Sequence, residues 1–82
     1  MTIQTLKNYI SADPKILSGK AVFRGTRIPV YTVLELLASG ISAGDIISDD
    51  YYPQLSLKHV RAALAYSSRL LRNEEAHSFA AI

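Results

Sequence analysis

The chain has 82 residues, 49% hydrophobic and 20% charged, with a net charge of +2; this balance suits one packed domain, leaves no length for a second, and excludes disorder throughout. No cysteine is present, so disulfides, thiolate metal ligands and cysteine catalysis are excluded. Apolar runs are short and no secretion-type leader follows Met1, so a soluble cytoplasmic protein without a membrane partner is expected; the small net charge points to nucleic acid only if cations cluster.

A single domain is expected over residues 1–75, followed by a tail over 76–82 where charge disappears after Ala76. Asp13-Pro14, Ser18-Gly19 and Gly25 punctuate the N-terminal third and favour strands and turns, with a short strand predicted near 9–11. The run KAVFRGTRIPV at 20–30 predicts a hairpin over 21–30, its β-rich pieces at 21–23 and 28–30 flanking Arg24-Gly25-Thr26-Arg27. Pro29 has no N–H, which confines its strand to an edge or makes it very short.

Val33, Leu34, Leu37 and Ala38 then recur at helical spacing, and Thr32 with Glu35 reads as a capping box, predicting a helix over 32–39 that stops at Gly40. Ser42 caps a second helix predicted over 43–48, with Asp45 in its first turn and Ile46 and Ile47 as its apolar side. Between them stands Gly40-Ile41-Ser42, the punctuation of a helix-turn-helix, in which Ile41 would pin the turn to the core. Asp49-Asp50-Tyr51-Tyr52-Pro53 breaks the chain, and Ser56 caps the longest helix, predicted over 57–73. On it Leu57, Val60, Leu64, Ser67 and Leu71 share one stripe, which would pack on the rest of the domain or on a second copy. The expected class is mainly α, a three-helix helix-turn-helix domain with a small N-terminal β-hairpin.

At about 100° per residue, Lys58, Arg61, Arg69 and Arg72 fall within an arc of about 80° beside that stripe. Such an arc can track a phosphate backbone or remain a solvated face. Arg24, Thr26 and Arg27 surround the hairpin tip and could grip phosphate or a carboxylate-rich partner; alternatively one arginine pairs with Asp13, Asp49 or Asp50 and locks the hairpin to the helices. The second helix opens on Ser42, Ala43, Gly44 and Asp45 without a base, so the hairpin and the long helix are the better candidates for double-stranded DNA. Phe79 and Ile82 in the tail are candidate partner-binding residues, and a frayed terminus is the other reading.

For catalysis the inventory is thin. His59 and His77 show no HExxH or HxH spacing, the glycines match no phosphate-cradling loop, and Asp49-Asp50 reads as a turn pair, so no enzyme, metal site or cofactor is expected.

Asp13-Pro14-Lys15-Ile16, Gly19-Lys20, the RGTRIPV run of 24–30, Ala38-Ser39-Gly40 with Ser42 and Ile46, Tyr52-Pro53 with Leu55-Ser56, and Ala63-Leu64 together resemble the family called domain of unknown function 433, over about residues 10–68. That resemblance implies a homeodomain-like or winged-helix-like fold, often dimeric. It also implies the antitoxin of a bacterial type II toxin-antitoxin pair, which silences a PIN-like ribonuclease and binds the DNA of its own operon. A protein-interaction adaptor without DNA binding and a solitary transcriptional regulator are the alternatives. Departures from the family pattern are Ala21 in place of a frequent proline and Gly44 and Lys58 in place of frequent acids; Gly44 weakens its helix by about 1 kcal/mol relative to alanine.

Overall fold

The computed structural model describes the backbone of residues 1–15 and 17–80 and the side chains of residues 1–15 and 18–72. Thr2 opens a one-turn helix, α1 (Ile3–Lys7), by accepting the Thr5 N–H at 3.1 Å, and Leu6 anchors it in the core. The sequence reading contains no such helix, because five residues are too few to display a helical period.

Strand β1 (Ile10–Ser11) pairs antiparallel with β2 (Val22–Phe23), Ile10 opposite Phe23 and Ser11 opposite Val22, and a 3₁₀ turn at Leu17–Gly19 lies between them. The hairpin predicted over 21–30 forms only in part. Its turn forms, with Thr26 N–H donating to the Phe23 carbonyl at 3.0 Å and Gly25 at φ 78°, the left-handed value a type II turn reserves for glycine. Its second strand reduces to one bridge, Val22 to Pro29, because Pro29 cannot donate and the next residue is already helical. The ladder partner of β2 is therefore β1.

Helix α2 (Val30–Ala38) starts two residues earlier than predicted, with Pro29 rather than Thr32 as N-cap. The first free donor, Val30 N–H, is taken by the Ala21 carbonyl at 3.0 Å, so the hairpin does what a capping side chain would do. Thr32 turns its hydroxyl back to the Pro29 carbonyl at 2.7 Å instead of forming a box with Glu35. At the other end Gly40 N–H reaches the Leu37 carbonyl and Ile41 N–H the Leu36 carbonyl, each at 3.0 Å, with Gly40 at φ 93°. This is a Schellman closure, and half-buried Ile41 packs on the core behind it.

Ser42 caps α3 (Ala43–Ile46) through the Asp45 N–H at 3.1 Å. The helix is shorter than the predicted 43–48, since the Ser48 hydroxyl donates to the Asp45 carbonyl at 2.6 Å and the chain turns away. Helix α4 (Leu57–Ala80) runs beyond the predicted 73, through most of the expected tail, and packs against α1, α2 and α3. Phe23, Val22, Val33 and Ile46 are fully enclosed, and Val60, Ala62 and Ala63 supply the core side of α4. Small residues at 62 and 63 let the other helices approach closely.

His59 replaces the usual glutamate of a capping box at the start of α4. The Ser56 N–H donates to its Nδ1 at 3.0 Å and the Ser56 hydroxyl lies 2.9 Å from the same nitrogen, so Nδ1 is an acceptor and the ring is neutral. The ring stands edge-on between Tyr9 and Phe23, with centroids at 5.2 and 5.7 Å. Burial pushes the imidazole below its ordinary value of 6.5. The unfolded chain therefore binds the proton more readily than the folded one, and this contribution to stability is present above pH 6.5 and lost as pH falls below it. Urea midpoints measured at pH 7.5 and at 5.5 should fall with pH in the native chain and change less in His59→Gln.

Candidate functional site

Four cations on the long helix were expected to share one arc, and they differ in exposure. Lys58, Arg61 and Arg72 are exposed on α4. Arg69 is half-buried and its guanidinium donates to the Met1 carbonyl at 3.2 Å, tying the chain start to α4.

The hairpin tip divides in the same way. Arg24 donates through Nε to the Lys7 carbonyl at 2.6 Å and reaches the Ile10 carbonyl at 3.5 Å. Its guanidinium thus clamps α1 and β1 to the hairpin through main-chain carbonyls, and not through Asp13, Asp49 or Asp50. Thr26 is half-buried; its hydroxyl donates to the Phe23 carbonyl at 2.7 Å and accepts from the Ile28 N–H at 3.0 Å. Only Arg27 of this group stands exposed without a side-chain hydrogen bond among the described residues. Removing the clamp should cost about 1 kcal/mol, the net worth of a partly exposed hydrogen bond, so Arg24→Ala should lower the urea midpoint while Arg27→Ala leaves it unchanged.

The apolar stripe is the main surprise of the surface. Val60 is buried and Ser67 half-buried, but Leu57, Leu64 and Leu71 are 46%, 49% and 61% exposed. They recur every seven residues along about 20 Å of helix at 1.5 Å per residue, and they adjoin the cationic arc. The core instead takes the neighbouring face, with His59, Ala62, Ala63 and Tyr66 turned inward. A long helix packed on one side and leucine-lined on another has two faces to cover, and the fold covers one.

Sequence reasoning missed residues that depend on α1. An apolar hollow between α1 and α4 is lined by Ile3, Leu6 and Leu70, and Lys20 sits over the Tyr31 ring at 5.1 Å from its centroid. The signal for α1 was present only as Thr2 before Ile3 and Leu6. Phe79 and Ile82 lie outside the described side chains. Among the described residues no group of three His, Cys, Asp or Glu side chains could hold a metal ion, and no helix is long and apolar enough to cross a membrane.

A two-strand antiparallel sheet and a one-turn helix packed with two short helices on one long helix define a small, mainly helical domain of four α-helices among the described residues. The chain belongs to the DUF433 family, described as protein of unknown function, whose model matches residues 10–67. One relative, the uncharacterized protein y4eO of Sinorhizobium fredii (strain NBRC 101917 / NGR234), is 34% identical over 61 residues, which make up 74% of this chain and 27% of that one. The chain thus spans about a quarter of that relative's length. The crystal structure of a DUF433 member protein from Anabaena variabilis ATCC 29413 superposes with a TM-score of 0.72 at 28% identity, covering 92% of this chain and 72% of that one.

Proposed function

We propose that this chain is a non-catalytic binding module of the bacterial cytoplasm, the antitoxin of a type II toxin-antitoxin pair, working through the outward face of α4. The observation that carries this reading is the row of exposed leucines at 57, 64 and 71 bordered by exposed Lys58, Arg61 and Arg72. Heptad-spaced leucines on a solvent face pair with another helix, here that of a second copy, and the adjoining cations remain outward to neutralise phosphates of operator DNA. Arg27 adds a further cation at the hairpin tip. The protein partner is a PIN-like ribonuclease, which the dimer holds and silences.

A purely structural use of His59 supports the non-catalytic part, because its Nδ1 serves the helix start and its ring the core. A second reading, an adaptor without DNA binding, is favoured by one observation. Arg24 and Arg69 are engaged within the fold, as is the Thr26 hydroxyl, which leaves fewer cations and one hydroxyl fewer for phosphate than the sequence displays. Co-expression with the product of the neighbouring open reading frame tests the antitoxin reading. The two should co-elute and ribonuclease activity should fall; separate elution with undiminished activity would remove it.

A further inference from the structure

Two apolar hollows lie on either side of Tyr66 and Leu70, on a face of α4 different from the leucine stripe. The first, about 220 Å³, is walled by α1 through Ile3 and Leu6. The second, about 260 Å³, is walled by α2 through Val30, Tyr31 and Leu34. Ile3, Tyr31 and Leu70 are exposed large apolar residues, so the two hollows and the Leu70 ridge form one continuous apolar patch.

Each hollow is smaller than the roughly 300 to 1,000 Å³ of a site that encloses a whole small molecule. Each suits one large apolar side chain. The rim is cationic: Lys7 and Arg69 line the first hollow and Lys20 the second, and among the described residues no aspartate or glutamate lines either. A second copy of this chain would bring the same cations against themselves across a two-fold axis. Ile3, Leu6, Lys7, Arg69 and Leu70 also lie outside residues 10–67, so the first hollow is built mostly from parts of this chain beyond the family match.

We infer that this double hollow is the docking groove for the protein partner, and that its occupant is an acidic amphipathic segment seating two large apolar side chains astride Leu70 with carboxylates toward Lys7 and Lys20. Helix-in-groove recognition uses such paired anchors, and cations on the rim choose the sign of the partner's flanks. The inference rests on the reading of the chain as a module with a protein partner; it does not need DNA binding or the leucine-stripe dimer.

The test is a titration of the isotope-labelled full chain with a synthetic helical peptide carrying two phenylalanines one turn apart and flanking glutamates, alongside a counterpart with lysines for the glutamates. The acidic peptide should shift amide resonances of Ile3, Leu6, Tyr31, Leu34 and Leu70, and bind the Lys7→Glu/Lys20→Glu variant about tenfold more weakly. Both lysines are exposed, so the variant is expected to keep the fold, which its far-UV circular dichroism and amide spectrum check before the titration. Equal binding of the two peptides, shifts confined to Leu57, Leu64 and Leu71, or no binding would each overturn the inference. So would groove shifts that appear on concentrating the chain alone, which would make a second copy the occupant, or groove shifts with a fatty acid while both peptides fail. Co-elution of the native chain with its neighbour reports the antitoxin reading separately. If co-elution survives Lys7→Glu/Lys20→Glu, the groove is refuted and that reading stands; if the native chain fails to co-elute, the peptide map still decides the groove.

Discussion

Phe23→Ala is expected to destabilise the domain by about 3 to 5 kcal/mol, the usual cost of removing a core aromatic ring and leaving its cavity. Phe23 is fully buried and lies in β2, where it connects three parts of the structure. Its backbone pairs with Ile10 and accepts the turn hydrogen bond from Thr26, and its ring meets the edge of His59 at the start of α4. A domain of this size has roughly 4 to 12 kcal/mol of total stability at about 0.05 to 0.15 kcal/mol per residue. The substitution should therefore leave a large unfolded fraction at 37 °C, whereas Phe23→Leu, which keeps most of the volume, should cost about 1.5 kcal/mol or less. Urea denaturation followed by circular dichroism measures both. A loss below about 1 kcal/mol for Phe23→Ala would mean that the sheet and α4 are not joined through this ring.

The parts of the fold legible in the sequence are those set by local chemistry. Gly40 and Ser42 mark the end of α2 and the start of α3 because a left-handed C′ position and a hydroxyl N-cap act over four residues or fewer. Gly25 marks the turn for the same reason. What was not legible depends on contacts distant in sequence. The start of α2 moved to Val30 because the Ala21 carbonyl, nine positions back, takes its N–H. Helix α1 shows no period of its own, so the sequence does not show that two candidate site residues are tied to the start of the chain, Arg24 by the Lys7 carbonyl and Arg69 by the Met1 carbonyl. Charge identifies a cation in a sequence, but not a main-chain carbonyl that will capture it.

The long helix shows a different limit. Its leucines formed the most conspicuous apolar stripe, yet apart from Val60 the side facing the core is marked by alanines, a histidine and a tyrosine, which a search for large apolar residues ranks lower. Periodicity finds that a stripe exists and gives its angle. It does not say whether the rest of the domain or another molecule covers it.

Reversing the three exposed cations together, Lys58→Glu/Arg61→Glu/Arg72→Glu, is the second large effect expected. Each phosphate contact contributes about 0.9 to the slope of log affinity against log salt, so loss of three contacts should flatten the slope by about 2.7 and weaken operator-region duplex binding most strongly at low salt. Arg24 and Thr26 are excluded from this set because their polar atoms are engaged within the hairpin, and Arg69 because reversing it would also break its bond to Met1. Fluorescence titration at several salt concentrations checks the expectation. A slope unchanged by the triple reversal would remove this face from DNA binding and favour the adaptor reading.

The proposed function depends on the outward leucine row of α4 being an interface. Sedimentation equilibrium of the native chain and of Leu64→Asp, at matched concentrations, addresses this directly, because Leu64 is the middle leucine and is half exposed. The native chain should sediment with the mass of two copies and Leu64→Asp with the mass of one, while the helical content of both remains the same. A native chain that stays at single-copy mass over the whole concentration range, or a Leu64→Asp chain that still pairs, would contradict it.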